Sequence, residues 1–210
     1  MNKVKAALFD LDGVVFDTEP QYTEFWGRQC REFHPEQPGL EHRIKGQTLT
    51  QIYDKYFSEE LECQRPLVTS RLNDFEQNMT FTYVGGFLDF IKNLRASDIK
   101  TAVVTSSNLV KMQAVYKSHP EFIGLFDEIL TSEDFEKSKP DPDCYLKAAK
   151  RFGLTSADCM VFEDSYNGLR SGRAAGMTVV GLATTNAKDD ICELCDTVIY
   201  DYCDFRIENY

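Results

Sequence analysis

Two hydrophobic periods divide this chain. Ala6, Ala7, Leu8 and Phe9 form an unbroken apolar run ending on Asp10, the length of a strand buried on both faces. From Tyr22 onward the period is helical. Tyr22, Phe25, Trp26, Gln29 and Phe33 recur three and four apart, until Pro35, Pro38 and Gly39 break the run. A second helix is expected over residues 48–57, with Ile52, Tyr56 and Phe57 on one face. A third is expected over residues 69–80, carrying Leu72, Phe75, Glu76 and Met79. We read these stripes as faces turned to a core. Beyond Gly85 and Gly86 the period alternates. Helices are expected over 87–95, 109–118, 143–152, 166–175 and 189–195, and strands over 99–105, 128–131, 159–162, 178–182 and 197–199. The polar, proline-bounded stretch 133–142 reads as a loop.

Alternating strands and helices predict an α/β fold, with a Rossmann-like parallel sheet covered by helices on both faces. The strand at residues 6–10 would join that sheet. The helical stretch after it is then an insertion, a small helical cap domain emerging just past the first strand. The expected division is residues 1–18 and 85–210 for the core domain and 19–84 for the cap.

Composition narrows the function. The 210 residues, 42% hydrophobic and 27% charged, are ordinary for a globular protein and enough for a sizeable core. A formal net charge of −11 disfavours nucleic acid as a partner, because binding it needs a basic surface. No apolar stretch is long enough to span a bilayer, and the N-terminal run is too short for a secretory signal, so no membrane partner and a cytoplasmic location are expected. The seven cysteines are odd in number and scattered, which fits reduced thiols. Cys192 and Cys195 form a lone CxxC with no second pair to complete a zinc site. A monomer is expected, and the charge does not exclude a small phosphorylated molecule, because a bound metal or one lysine can reverse the sign locally.

In parallel open sheets, ligands bind at the carboxyl ends of strands. Asp10 and Asp12 follow the first expected strand. Thr105, Ser106 and Asn108 follow the next, Lys139 lies in the loop after the third, and Glu163 and Asp164 follow the fourth. Taken alone, Asp-x-Asp-Gly fits a solvated strand end equally well, and Ser106 and Asn108 fit a helix N-cap. Together the residues are chemically coherent. Oxygen ligands from Asp10, Glu163 and Asp164 suit Mg²⁺. Lys139 would neutralise a carboxylate and a phosphoryl oxygen, and the Thr105 hydroxyl would bind another.

Four stretches carry a resemblance: FDLDGVVFDTEP from Phe9, VVTSSN from Val103, KSKPDPDCY from Lys137 and VFEDSYNGLRSGRAAGM from Val161. In this order they resemble the haloacid-dehalogenase-like phosphotransferase superfamily, in the branch holding beta-phosphoglucomutase and small sugar-phosphate phosphatases. The resemblance implies that Asp10 is a nucleophile forming an aspartyl-phosphate. It implies that Asp12 is a general acid and base that also reaches the metal through its backbone carbonyl, and that Glu163 and Asp164 complete a Mg²⁺ site with Asp10. Thr105 and Lys139 would hold the phosphoryl group. Thr18, Gly46, Gln47, Ser106 and Asn108 would contact substrate.

The motifs do not say whether water or a sugar hydroxyl takes the phosphoryl group. The family's mutases carry an arginine where Leu49 stands, a lysine near Leu72 and a histidine where Tyr22 stands, while DTEP at residues 17–20 looks like the phosphatases. The expectation is therefore a Mg²⁺-dependent phosphatase of small phosphorylated sugars or sugar alcohols. A beta-phosphoglucomutase, with Lys45 or Arg71 replacing the missing cation, is the alternative. A non-catalytic phosphosugar-binding protein is the alternative from another class.

Overall fold

The structure, a computed structural model, describes residues 4–45 and 47–207. Its strands are β1 (Ala6–Phe9), β2 (Lys100–Val104), β3 (Glu128–Leu130), β4 (Cys159–Glu163), β5 (Thr178–Leu182) and β6 (Thr197–Ile199). Among the described residues they form one parallel sheet in the order β3-β2-β1-β4-β5-β6. β1 is therefore central, with the chain departing to β2 on one side and returning to β4 on the other. Phe9 is level with both Val103 and Phe162, so the carboxyl ends of the three middle strands open onto one crevice.

The unbroken apolar run of β1 has a packing reason. Ala7 and Phe9 face a cluster with Phe16, Phe87, Phe90, Phe122 and Phe162, whereas Ala6 and Leu8 face a second cluster with Tyr145, Ala148, Val161 and Leu169. Helices α5 (Phe87–Ala96) and α6 (Leu109–Ser118) contribute to the first, and α7 (Asp143–Arg151) and α8 (Tyr166–Ala174) to the second. Both faces are thus covered, as a parallel sheet requires.

Between β1 and α5 lie α1 (Glu19–Phe33), α2 (Leu40–Ile44), α3 (Leu49–Tyr56) and α4 (Arg65–Gln77). They share a third cluster that includes Phe25, Trp26, Leu40, Ile44, Ile52, Phe57 and Leu72. The chain segments leading into and out of this insert lie side by side. The Asp17 amide donates to the Thr82 carbonyl (2.8 Å), the Val84 amide to the Val15 carbonyl (3.0 Å), and Phe16 bridges Tyr83 antiparallel. Met79 and Phe81 already pack in the sheet cluster, so the chain regains the sheet side before residue 84.

Three of the α-helices differ most from the sequence reading. α2 went unforeseen, because Leu40 and Ile44 are its buried residues and one pair four apart is no period. α4 starts at Arg65 rather than 69, since Pro66 sits in its first turn, where a missing N–H costs nothing. The helix expected over 189–195 is a short α9 (Lys188–Ile191) followed by a 3-10 turn at Cys192–Leu194. All seven cysteines are free, Cys192 and Cys195 included.

Candidate active site

The Asp10–Gly13 turn is built to hold two carboxylates apart. The Asp10 amide donates to the Phe162 carbonyl (3.0 Å), which keeps the strand end in register with β4. Gly13 then turns the chain at φ +69°, a conformation that favours glycine, and its amide donates to the Phe16 carbonyl (2.7 Å). A Cβ at Gly13 would also overlap the Asp164 carboxylate.

Asp10 sits beside a buried lysine. Lys139 Nζ donates to Asp10 Oδ1 (2.6 Å), to Glu163 Oε1 (2.5 Å) and to the Val104 carbonyl at the end of β2 (2.9 Å). The Tyr145 hydroxyl donates to the same Glu163 oxygen (2.7 Å). Burial works against the charge on Lys139, but Asp10 and Glu163 outweigh it and hold the ammonium protonated, above the usual lysine range. Burial raises the Asp10 pKa, Lys139 pulls it back, and Glu163 and Asp12 raise it again, leaving it at about 7. Burial, with Glu163, Glu19 and Asp10, also holds Asp164 well above the carboxylate range.

Carboxylate oxygens of Asp10, Glu163 and Asp164 all lie within 4.8 Å of one another. These are oxygen donors without sulfur or nitrogen, which fits a hard divalent cation such as Mg²⁺ rather than zinc. The elevated carboxylate pKa values have the same origin, since clustered buried anions call for positive charge. The Asp12 side chain is outside this cluster. It accepts from the Thr18 hydroxyl (2.7 Å), the Ser107 hydroxyl (3.3 Å) and Lys111 Nζ.

The second ring of contacts fixes these groups. The Ser165 hydroxyl caps α8 by accepting from the Gly168 amide (3.1 Å) and lies 3.3 Å from Glu163 Oε2. A Cβ on Gly168 would overlap the Glu163 carboxylate. Gly168→Ala is therefore expected to destabilise the fold by about 1–3 kcal/mol, the usual range for overpacking. The check is the urea midpoint; an unchanged midpoint would show that Glu163 moves aside freely.

A cavity of about 540 Å³ opens above Asp10, between the sheet's carboxyl end and the insert. Thr105, Ser106, Asn108 and Gln47 line it, as does Lys139. The Thr105 hydroxyl accepts from the Ser107 amide (3.0 Å), and the Asn108 side chain caps α6 by accepting from the Lys111 amide (3.0 Å). Asn108 is thus a cap and a lining residue at once. Two expectations need correction. Thr18, expected against substrate, is fully buried, gives its hydroxyl to Asp12 and does not line the cavity. Arg71, offered as a replacement cation, faces away: it pairs with Glu32 (2.7 Å) and Gln29 (2.9 Å). Gly46 lies outside the described residues.

Several residues have places here that their sequence spacing does not show. Tyr22 and Glu76 recur at helical spacing with core residues, yet the Tyr22 hydroxyl donates to Glu76 (2.7 Å) and accepts from Lys111 (2.6 Å). Lys111 carried a signal: it shares a helix face with Ala114 and Val115 and is only 2% exposed. Gln51 and Asn167 join the insert to α8 across the cavity mouth at 3.0 Å.

Comparison with known proteins identifies the family. A "Probable pseudouridine-5'-phosphatase" of Drosophila melanogaster is 30% identical over 224 residues, covering 100% of this chain and 95% of that protein. A bifunctional riboflavin kinase/FMN phosphatase of Arabidopsis thaliana is 26% identical over 97% of this chain, which spans only 55% of that longer protein. A HAD hydrolase of family IA, variant 3, from Entamoeba histolytica shares the fold with a TM-score of 0.85 at 24% identity, covering 98% of this chain and 96% of that one. The profile of the haloacid dehalogenase-like hydrolases matches residues 7–182, from the first buried strand to the end of β5. The chain belongs to the haloacid dehalogenase-like hydrolase family.

Proposed function

We propose that this enzyme is a Mg²⁺-dependent phosphatase of small phosphorylated sugars or sugar alcohols, working through an aspartyl-phosphate on Asp10. The observation that carries the reading is the placement of Asp10. Its carboxylate shares the buried Lys139 ammonium with Glu163 and lies within 4.8 Å of the Glu163 and Asp164 carboxylates, at the floor of a cavity large enough for a sugar phosphate. Asp10, Glu163 and Asp164 would hold the metal through their carboxylates, and Asp12 through its main-chain carbonyl. Bound there, Mg²⁺ supplies positive charge to the phosphoryl oxygens.

The protein's own groups then divide the work. Lys139 orients Asp10 for in-line attack on phosphorus. The phosphorus–oxygen bond to the sugar breaks, and Asp12 protonates the departing alkoxide. Water then attacks the aspartyl-phosphate, giving its proton to Asp12 and releasing phosphate and free Asp10. Residues 19–84 act as the cap that covers the cavity, with residues 1–18 and 85–210 as the catalytic core.

The cap side of the cavity favours hydrolysis over mutase chemistry. A mutase must hold a sugar bisphosphate, whose second phosphate needs a cation. Leu49 and Leu72 line the cavity as leucines, and Glu19, Glu41 and Glu76 line it as carboxylates. Lys45 also lines it but is paired with Glu19 at 3.9 Å. The names of the relatives point the same way. FMN and pseudouridine 5'-phosphate are both monophosphates at the end of a ribityl or ribosyl chain. The decisive experiment is a screen of sugar and sugar-alcohol monophosphates for phosphate release, run beside an assay for glucose 6-phosphate formation from beta-glucose 1-phosphate. Phosphate release without isomerisation is expected. Isomerisation stimulated by a trace of bisphosphate would overturn the phosphatase reading, and Lys45 would be the first anchor to test.

A further inference from the structure

We propose that Lys111 is the positioning residue for Asp12, and that Tyr22 and Glu76 hold it there from the cap side. The inference rests on the reading of Asp12 as the group that passes the proton to the leaving alkoxide. A lysine on the core side of a helix is costly to keep unless it is fully paired. Lys111 is 2% exposed, and its ammonium donates to Asp12 Oδ2 and to the Tyr22 hydroxyl at 2.6 Å. It also sits 4.8 Å from the centroid of the Tyr22 ring. The Tyr22 hydroxyl passes its own proton donation on to Glu76 at 2.7 Å. The chain Asp12–Lys111–Tyr22–Glu76 thus runs from the turn after β1, through α6, to α1 and α4.

Each of the two aspartates in the turn has a buried lysine of its own. Lys139 serves Asp10, and Lys111 serves Asp12. The other donors to Asp12 are hydroxyls, Thr18 on one oxygen and Ser107 on the other. Without the ammonium, two single-point contacts would hold a group that must meet the leaving oxygen within hydrogen-bond reach. The Asn108 cap on the Lys111 amide fixes the first turn of α6 and so the root of the lysine side chain. Lys111 is spent on Asp12 and Tyr22, which makes it a positioning group and not a phosphate ligand.

The test compares two substrates by kcat/KM, which reports the steps up to formation of the phosphoenzyme. Ribitol 5-phosphate needs its alkoxide protonated; p-nitrophenyl phosphate does not. Lys111→Met is expected to lower kcat/KM by about tenfold or more on ribitol 5-phosphate and by less than about threefold on p-nitrophenyl phosphate, a fraction of the usual general-acid contribution. Lys111→Arg should recover part of the loss, since the charge is restored. Tyr22→Phe removes only the relay hydroxyl, and it should show the same split in smaller measure even where Lys111→Met fails to fold. Equal losses on both substrates, or no loss, in these variants overturn the proposal. Asp12→Ala, run in parallel, separates the two layers of the argument. A split in Asp12→Ala without one in the Lys111 and Tyr22 variants sinks the positioning role alone. No split in Asp12→Ala sinks the proton-transfer reading, and the Lys111 proposal with it.

Discussion

Asp10→Asn is expected to remove at least several powers of ten from kcat and to abolish any phosphorylated form of the enzyme. The amide keeps the size of the side chain and can still meet Lys139, but it has no anionic oxygen to attack phosphorus. Losses of this order are usual when a group in covalent catalysis is removed. The check combines phosphate release with mass spectrometry of the protein caught during turnover. The variant should fold, because an uncharged amide relieves the repulsion that burial, Glu163 and Asp12 impose on Asp10. A folded Asp10→Asn protein that still turns over near the normal rate would remove Asp10 from the mechanism.

Removing divalent metal should abolish activity as completely, and it should leave a thermodynamic trace that activity alone cannot give. In the metal-free protein the Asp10 pKa is raised from 3.8 to about 7, and that of Asp164 is raised as well. A carboxyl raised on folding binds its proton more tightly in the folded chain than in the unfolded one. Its neutral form therefore favours the fold at low pH, and stability is lost as pH rises from about 4 through about 7. Positive charge from a bound cation offsets that loss. Mg²⁺ at about 100 times its Kd stabilises by about 2.7 kcal/mol, which corresponds to about 5–10 °C in Tm for a chain of this size. We expect the rise in Tm over the chelated protein to be larger at pH 8 than at pH 5. Ca²⁺ should also raise Tm yet fail to support turnover, because its looser coordination shell spoils in-line alignment. Full activity after exhaustive chelation, or equal Tm shifts at both pH values, would give Glu163 and Asp164 another task.

The parts of the site that were legible in the sequence share one property: each follows a strand closely. Asp10, Thr105, Glu163 and Asp164 are fixed by sheet register within a residue or two of a strand end, so strand positions alone place them together. Lys139 was legible because its loop follows β3 and is bounded by prolines. The rest depended on contacts that no local period encodes. Lys111 meets Asp12 across 99 residues of sequence and Tyr22 across 89, and Tyr22 meets Glu76 across 54. From the sequence, Tyr22 and Glu76 are merely residues at helical spacing, and nothing says that a hydroxyl and a carboxylate lie at the end of the stripe. Arg71 and Leu72 show the limit from the other side. Neighbours on a helix point about 100° apart. Leu72 therefore enters the cavity while Arg71 turns to the Glu32 side of α1.

The side-by-side passage of residues 15–17 and 82–84 bears on how this chain finds its fold. β1, the strand on which the whole sheet is centred, must meet a partner, β2, from which the insert separates it in sequence. Closing so long a loop is entropically expensive while the intervening chain is unstructured. The insert changes that cost if it collapses first on its own apolar cluster, because its two ends can then hydrogen-bond to each other. The effective loop between β1 and β2 then shrinks to residues 10–14 and 85–99, and each halving of loop length saves about 0.6 kcal/mol. The helices that roof the cavity would in this way also act as a clasp during folding, drawing the first strand to the rest of a sheet from which the sequence keeps it apart.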